Sequence, residues 1–343
     1  MVKNRLFCLI VLIFLMGIFS GCSPRWQNRK PVKNTEKRYY DAYPDGDVAA
    51  GLEKIARSVF KVNGIAFYKT YYFTRKQGVD DGKMKNPSTY QTAGYQLVTH
   101  KSSMGTATLI YHNERMAALI SCAHIVHFDD TLTTYFADQP DKIYSISIRL
   151  KQNIFVSGFN NNRAVVVAKD KTKDLALLKM ELSDTHKAQS LLKMTYPMGK
   201  TKDLQWGSFI YAMGFPMGQK MVTRGVVSLS KNNRQHYILS DAVFNGGYSG
   251  APVFALRGGA PHFEWSGMVR SGAVEKMLYV QPRIKDDQLY SKNENYSGEV
   301  FVNNKVLIKY GLTYTIPIEE IVMFVHQHQG EMRVAGFQPE IIF

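Results

Sequence analysis

Residues 241–253 read DAVFNGGYSGAPV, a single serine among glycines between two apolar stretches. An attacking serine needs a tight, exposed turn, and the oxyanion that forms on its substrate needs backbone N–H groups directed at one point. Glycine permits the backbone conformations that such a turn requires. The stretch therefore predicts Ser249 as a nucleophile and the N–H groups of Gly247 and Ser249 as an oxyanion hole. An ordinary glycine loop is the alternative.

Two segments upstream carry groups that would activate such a serine. Residues 117–126 read AALISCAHIV, an apolar strand pattern followed by His124, and histidine is the side chain that most often serves as a general base. Residues 173–179 read KDLALLK, in which Asp174 opens an apolar strand and needs a partner such as an imidazole N–H. Taken alone, each segment favours a structural or surface histidine and a strand-capping aspartate. The chain order His124, Asp174, Ser249 is that of a chymotrypsin-type triad.

Short apolar or alternating segments recur from Val48 onward, which is typical of an all-β barrel or sandwich. The segments are residues 58–62, 106–111, 117–121, 146–150, 164–168, 175–180, 208–213 and 225–229. The apolar residues of 316–329 follow helical spacing behind Pro317, which predicts one terminal helix. The polar stretches 70–96 and 285–298 are predicted to be an irregular loop and an insertion.

The N-terminus has the pattern of an export signal. Residues 1–21, MVKNRLFCLIVLIFLMGIFSG, join a basic start to an apolar run and small residues. Cys22 follows in a context that resembles a bacterial lipobox, so we expect a lipid anchor there; Ser23 after it favours the outer membrane or cell surface. An ordinary cleaved signal, giving a secreted protein, and an uncleaved anchor are the alternatives. Residues 22–47 are predicted to be a flexible basic tether, and residues 48–343 the folded domain.

Composition narrows the class of partner. The chain has 343 residues, with 43 Lys and Arg against 28 Asp and Glu, a formal net charge of +15. Such a surface attracts nucleic acid, anionic lipid and acidic envelope polymers alike. The sequence has no zinc-finger spacing or recognition-helix pattern, so we expect no nucleic-acid partner and favour the bacterial cell envelope. Three cysteines build no disulfide framework.

The motifs together resemble the Deg/HtrA-like bacterial branch of the trypsin-like serine peptidases. The residues that carry the resemblance are 104–107, 121–124, 174–179, 212–218, 223–228 and 314–317. The resemblance spans residues 48–329 and implies two six-stranded antiparallel β-barrels with a C-terminal helix and the active site between the barrels. It also implies a serine endopeptidase that acts on proteins or peptides without a cofactor or metal. In that family His124, Asp174 and Ser249 would be the triad.

Tyr248 and Ala251 depart from the family pattern, which has a polar residue and a glycine at these places. The departure leaves open a catalytically inactive lipoprotein that acts as a binding or scaffold protein. Because few residues follow the predicted closing helix, we expect this chain to lack the PDZ domain that many relatives carry. A cysteine peptidase at Cys122 lacks the glycine-rich turn of a nucleophile, and a metal site at His124 and His127 lacks a further ligand.

The specificity pocket is predicted by position relative to Ser249. Val243 is expected near its base, and Ser271 and Gly272 on a wall formed by residues 267–272. Because the base lacks Asp or Glu, we expect selection of a small or medium apolar side chain. Arg270, in the same wall, would change that selection if its side chain pointed into the pocket.

Overall fold

The computed structural model describes residues 38–41, 46–159, 163–182, 190–228, 237–282 and 300–342. These residues lie within one compact unit, Glu36–Phe343. The predicted signal, Cys22, most of the predicted tether and the predicted insertion at 285–298 lie outside the described residues. Within the described ranges, none of the helices combines the length and apolar character needed to cross a membrane.

The described residues form thirteen β-strands and four α-helices. The strands are β1 Val59–Tyr72, β2 Tyr95–His112, β3 Met116–Ser121, β4 Thr131–Tyr135, β5 Ile143–Val156, β6 Arg163–Asp170, β7 Leu175–Glu181, β8 Phe209–Gly214, β9 Met221–Val226, β10 Ile238–Ser240, β11 Pro252–Leu256, β12 Phe263–Pro282 and β13 Val300–Pro317. The helices are α1 Ala49–Ala56, α2 Ala123–Val126, α3 Ile318–Gln327 and α4 Gln329–Val334. Short 3-10 segments lie at Arg75–Gln77, Lys83–Lys85, Pro87–Thr92, Thr201–Asp203, Pro216–Gly218 and Pro339–Ile341.

The first sheet is antiparallel in the order β1-β2-β3-β7-β6-β5-β4. Strand β1 also pairs with β5, which closes six of the seven strands into a barrel and leaves β4 on the outside of β5. Closure satisfies the backbone groups that an open edge would expose. Leu119, Leu177 and Leu178 are fully buried, and because neighbouring side chains of a strand point to opposite faces, β7 is covered on both sides of the barrel wall.

The second sheet has the order β10-β13-β12-β11-β8-β9. A bridge between Val227 and Ser240 joins its two edges, so this sheet is also curved toward a barrel. Strand β11 is buried on both faces, and its side chains alternate between two apolar clusters. Val253 lies in the core of the second sheet, whereas Phe254 lies in the large cluster that contains the core of the first barrel. The two-residue period of a strand therefore makes β11 the wall between the cores.

The predicted fold class, all-β with two antiparallel barrels and a C-terminal helix, is confirmed. The first sheet has a seventh strand, and the second closes only through its single bridge. The predicted loop at 70–96 is wrong at its ends, since β1 continues to Tyr72 and β2 begins at Tyr95. The first half of β2 is mostly exposed and therefore lacks the apolar alternation that marks a buried strand.

The folded part begins before Val48. Tyr39, inside the stretch predicted as a tether, is 1% exposed and packs in the core of the second sheet. Its hydroxyl donates to Glu264 Oε2 at 2.7 Å, and the Arg257 guanidinium lies 4.1 Å from its ring centroid. Burial and this hydrogen bond raise the pKa of Tyr39 to about 12. The sequence did not predict the burial of Tyr39 because residues 22–47 are polar and basic on average. One aromatic side chain changes the mean hydropathy of such a stretch very little.

Candidate active site

His124 and Asp174 are brought together by one strand pair of the closed barrel. Strands β3 and β7 pair with Ser121 opposite Ala176, so the residues that follow β3 and precede β7 meet at one end. His124 Nδ1 lies 2.7 Å from Asp174 Oδ2, and the His124 backbone N–H donates to Asp174 Oδ1 at 2.9 Å. The imidazole is 44% exposed and the carboxylate 8%. A buried carboxylate thus orients an imidazole that is open to a substrate.

Asp174 adopts an unusual backbone conformation. Its φ is 59°, in the left-handed region that few residues other than glycine occupy. Aspartate tolerates this region better than most residues because its side chain is short and polar. The Ala123 N–H donates to the Asp174 carbonyl at 3.2 Å, which holds the backbone in place. Conformations of this kind persist where the surrounding structure over-determines them, and they cluster at functional sites.

Ser249 lies in the loop between β10 and β11, against β2. Its carbonyl accepts a hydrogen bond from the Thr106 N–H at 2.7 Å. A Cβ on Gly105 would lie 2.7 Å from that carbonyl oxygen and 2.9 Å from Ile125 Cγ1, so the serine and the residue after His124 contact the same glycine. The structure therefore brings all three predicted residues to one place.

A second set of contacts ties the serine loop to the strand that leads to His124. The Val269 carbonyl accepts from the Gly250 N–H at 2.8 Å and from Cys122 Sγ at 3.3 Å. The Ser121 hydroxyl donates to the Thr106 carbonyl at 2.7 Å. Within the described part of the chain, the half-buried Ser249 Oγ has no hydrogen-bond partner. Catalytic hydrogen bonds are often long without a substrate and tighten when one binds.

The loop around Ser249 needs glycine at two places. Gly247 has φ 107° and Gly250 φ 87°, where a side chain is strained. A Cβ on Gly247 would clash with the Phe215 carbonyl oxygen, and one on Gly250 with the Thr106 carbonyl oxygen. Among the described residues, the N–H groups of Gly247 and Ser249 find no acceptor, whereas the Tyr248 N–H between them donates to the Asn245 carbonyl at 3.1 Å. Two unfilled donors are what an oxyanion hole requires.

Tyr248 and Ala251, which depart from the family pattern, belong to the core of the second sheet. Tyr248 is 3% exposed, and its ring centroid lies 5.8 Å from that of Phe244. Burial raises the pKa of the Tyr248 hydroxyl. Ala251 is fully buried, and a Cβ on Gly214 would lie 3.0 Å from its methyl group. Both side chains therefore pack into the core of the second sheet and hold the serine loop against it.

The predicted pocket residues lie on two segments. Val243 is 43% exposed in the stretch before the serine loop, and Ser271 and Gly272 lie on β12 opposite Tyr314 and Thr313. The Arg270 side chain points instead to the catalytic pair, where its Nε lies 3.6 Å from Asp174 Oδ2. Sequence reasoning missed this contact because no motif marks a residue that meets Asp174 only when the two sheets pack.

Cys122 has a structural environment. Its thiol is fully buried, and desolvation, followed by the charge of Asp174, raises the pKa of the group well above its ordinary value. Ligand atoms of Cys122, His124 and Asp174 lie within 4.8 Å of one another. A protonated thiol is a poor metal ligand and a poor nucleophile, so burial favours a packing role for this cysteine.

Comparisons with known proteins find similarity to serine peptidases. Residues 105–260 match the family model described as a trypsin-like peptidase domain. A probable periplasmic serine endoprotease, DegP-like, from Hahella chejuensis is 30% identical over 125 residues, which are 35% of this chain and 25% of that protein. Serine protease HTRA4 from Mus musculus is 38% identical over 99 residues, 26% of this chain and 19% of that protein. The chain thus matches a quarter or less of the length of these relatives.

Among solved structures, the serine endoprotease from Yersinia pestis aligns with 84% of this chain and 68% of that one, at a TM-score of 0.40 and 14% identity. The family match, residues 105–260, contains His124, Asp174 and Ser249. Residues 105–260 are thus similar to a trypsin-like peptidase domain, and parts of the chain are similar to parts of known serine proteases.

Proposed function

We propose that this protein is a serine endopeptidase that cleaves proteins or peptides of the bacterial envelope with His124, Asp174 and Ser249. The observation that carries the proposal is the 2.7 Å contact between His124 Nδ1 and Asp174 Oδ2 beside a glycine-shaped serine loop. The buried carboxylate holds the imidazole in the tautomer that leaves Nε2 free to accept a proton. A metal or cofactor has no part in this scheme.

The reaction is acyl transfer in two halves. His124 Nε2 takes the proton of Ser249 Oγ, which attacks the substrate carbonyl carbon, and the N–H groups of Gly247 and Ser249 stabilise the oxyanion. The C–N bond then breaks as His124 gives its proton to the leaving amine, which leaves an acyl-enzyme. Water attacks this ester with His124 again as the base and regenerates Ser249. Asp174 stabilises the imidazolium in both halves and stays ionised.

The substrate pocket in this proposal has Val243 at its base and Ser271 and Gly272 on one wall. Arg270 points toward Asp174, which supports a pocket without a cation on that wall. We therefore propose cleavage after a small or medium apolar residue. Profiling with a peptide library tests this preference, and a dominant preference for Lys, Arg or Asp in the cleaved position would contradict it.

We also propose that the protein is attached to the bacterial envelope through a lipid on Cys22, at the outer membrane or the cell surface. The DegP-like relative is periplasmic by name, which supports an envelope location. A net charge of +15 favours contact with anionic lipid or envelope polymers. Metabolic labelling with a fatty acid should mark the parent but not C22S. Release of an unlabelled parent into the medium would show a secreted protein instead.

The alternative is an inactive scaffold, and one observation favours it: Ser249 Oγ has no hydrogen-bond partner among the described residues. The two functions are separated by labelling the purified full chain in detergent with a fluorophosphonate probe. We expect the parent to label and S249A and H124A to remain unlabelled. A parent that is folded by circular dichroism yet as unreactive as S249A would contradict the peptidase and support the scaffold.

A further inference from the structure

Arg270 is the residue of β12 that a β-bulge turns toward the catalytic pair. Val269 pairs with Thr315 and Ser271 with Tyr314, so Arg270 is the extra residue between two ladder positions. Bulges of this kind re-aim a side chain and are frequent beside active sites. The Arg270 guanidinium lies 4.7 Å from the ring centroid of Tyr237, which supports it from the other side.

The contact that results is to the same carboxylate oxygen that His124 uses. Asp174 Oδ2 lies 2.7 Å from His124 Nδ1 and 3.6 Å from Arg270 Nε, whereas Oδ1 accepts from the His124 backbone N–H. The Arg270 side chain is 32% exposed and the Asp174 side chain 8%. Charges so placed are screened less than charges on the surface. One carboxylate oxygen therefore faces a permanent cation and an imidazole that becomes a cation during the reaction.

Other groups around the pair do not offset this charge. The thiol of Cys122, which lies within 4.8 Å of ligand atoms of the pair, is kept neutral by burial. Lys173, next to Asp174 in the chain, forms an ion pair with Glu320 at 2.9 Å. Among the described residues, Arg270 is thus the cation that acts directly on Asp174.

We propose that Arg270 restrains the catalytic pair: its charge opposes the formation of imidazolium at His124 and so slows acylation of Ser249. The inference rests on the proposed function. In the acylation step the proton passes from Ser249 Oγ to His124 Nε2, and the new positive charge is stabilised by Asp174. A guanidinium on the same oxygen takes up part of that stabilisation and repels the new charge. Removal of the guanidinium charge should therefore make the protein more reactive.

The test is the second-order rate constant for fluorophosphonate labelling of the full chain in detergent, measured from pH 5 to 10. We expect R270M, which keeps an apolar stem without the charge, to raise the alkaline plateau about three- to tenfold. The pH of half-maximal rate should also move upward, because the imidazole then binds its proton more firmly. R270K keeps the charge and should remain slow. R333M removes an exposed charge on α4 and should match the parent.

The outcomes separate this inference from the proposed function. If the parent is labelled and the plateau rate of R270M is equal to or lower than that of the parent, the inference alone is overturned. Arg270 would then be a residue that supports the position of Asp174. A parent and an R270M variant that are both folded and both unlabelled overturn the peptidase and the inference together. An increase in rate that R270K shares also contradicts restraint by charge. R270Q serves in place of R270M if that variant does not fold, as judged by thermal unfolding.

Discussion

The two barrels hold their catalytic residues in different ways. His124 and Asp174 belong to the closed first barrel, where the β3–β7 pair places them at one strand end. Ser249 belongs to the second sheet, and contacts that cross to the first barrel, such as the Thr106 N–H to its carbonyl at 2.7 Å, place it beside the pair. The pair thus depends on one barrel, whereas the triad depends on how two barrels pack.

The largest effect should come from D174N, which breaks the pair inside the first barrel. The amide no longer fixes the tautomer of His124 or stabilises imidazolium, so we expect the labelling rate to fall about 10⁴-fold. The fold should persist, because the amide oxygen still accepts the His124 backbone N–H. Labelling kinetics and thermal unfolding of D174N check both statements. A loss of less than tenfold would show that the pair is not part of the mechanism.

G250A should break the contact between barrels. Its Cβ would clash with the Thr106 carbonyl oxygen at a φ of 87°, so the loop must shift away from the first barrel. We expect a loss of about 2–4 kcal/mol in the free energy of unfolding, together with most of the labelling.

The matched control for G250A is G246A in the same loop. A Cβ on Gly246 would have no atom within 4 Å, so the free energy of unfolding of G246A in urea should equal that of the parent. Equal stability of G250A and G246A would mean that the loop does not rest on Thr106 as the structure shows.

T106V should weaken the contact between the serine loop and the first barrel by less than G250A does. The buried Thr106 hydroxyl donates to the Gly247 carbonyl at 2.7 Å and accepts from the Phe215 N–H at 3.1 Å. Valine leaves both groups without this partner, so we expect a loss of about 1–3 kcal/mol in stability and slower labelling. T108V is the control, because the buried Thr108 hydroxyl has no hydrogen-bond partner among the described residues. Chemical denaturation compares the two, and a T108V variant as unstable as T106V would contradict this account.

The smallest effect is expected for Y248F. Tyr248 packs its ring beneath the serine loop in the second sheet, so loss of the hydroxyl should change stability by less than about 1 kcal/mol and leave labelling intact. Y248A should instead lose about 3–5 kcal/mol through the cavity that it creates. A strong loss of labelling in a stable Y248F would show that the hydroxyl acts in the site.

Much of the fold was predictable because its signals are local. Short continuous apolar runs marked the buried strands β3, β7 and β8, since a strand that is covered on both faces is apolar along most of its length. No such apolar run marks the first half of β2, which is mostly exposed, or Tyr39, whose burial depends on residues far away in the chain. Strand β9 lies at Met221–Val226 and not at 225–229 as predicted, since its outer residues are exposed.

The candidate site also has features that the sequence predicts and features that only the packing of the two sheets determines. The sequence by itself determined which side chains are available: an imidazole after β3, a carboxylate before β7 and a serine among glycines. Tertiary structure alone decided that Arg270 faces Asp174, that Tyr248 lies in a core and that Ser249 rests on Thr106. The physical reason is that a motif reflects the backbone conformation required over a few consecutive residues. A contact between sheets depends on bulges, register and packing that residues far apart in the chain set together.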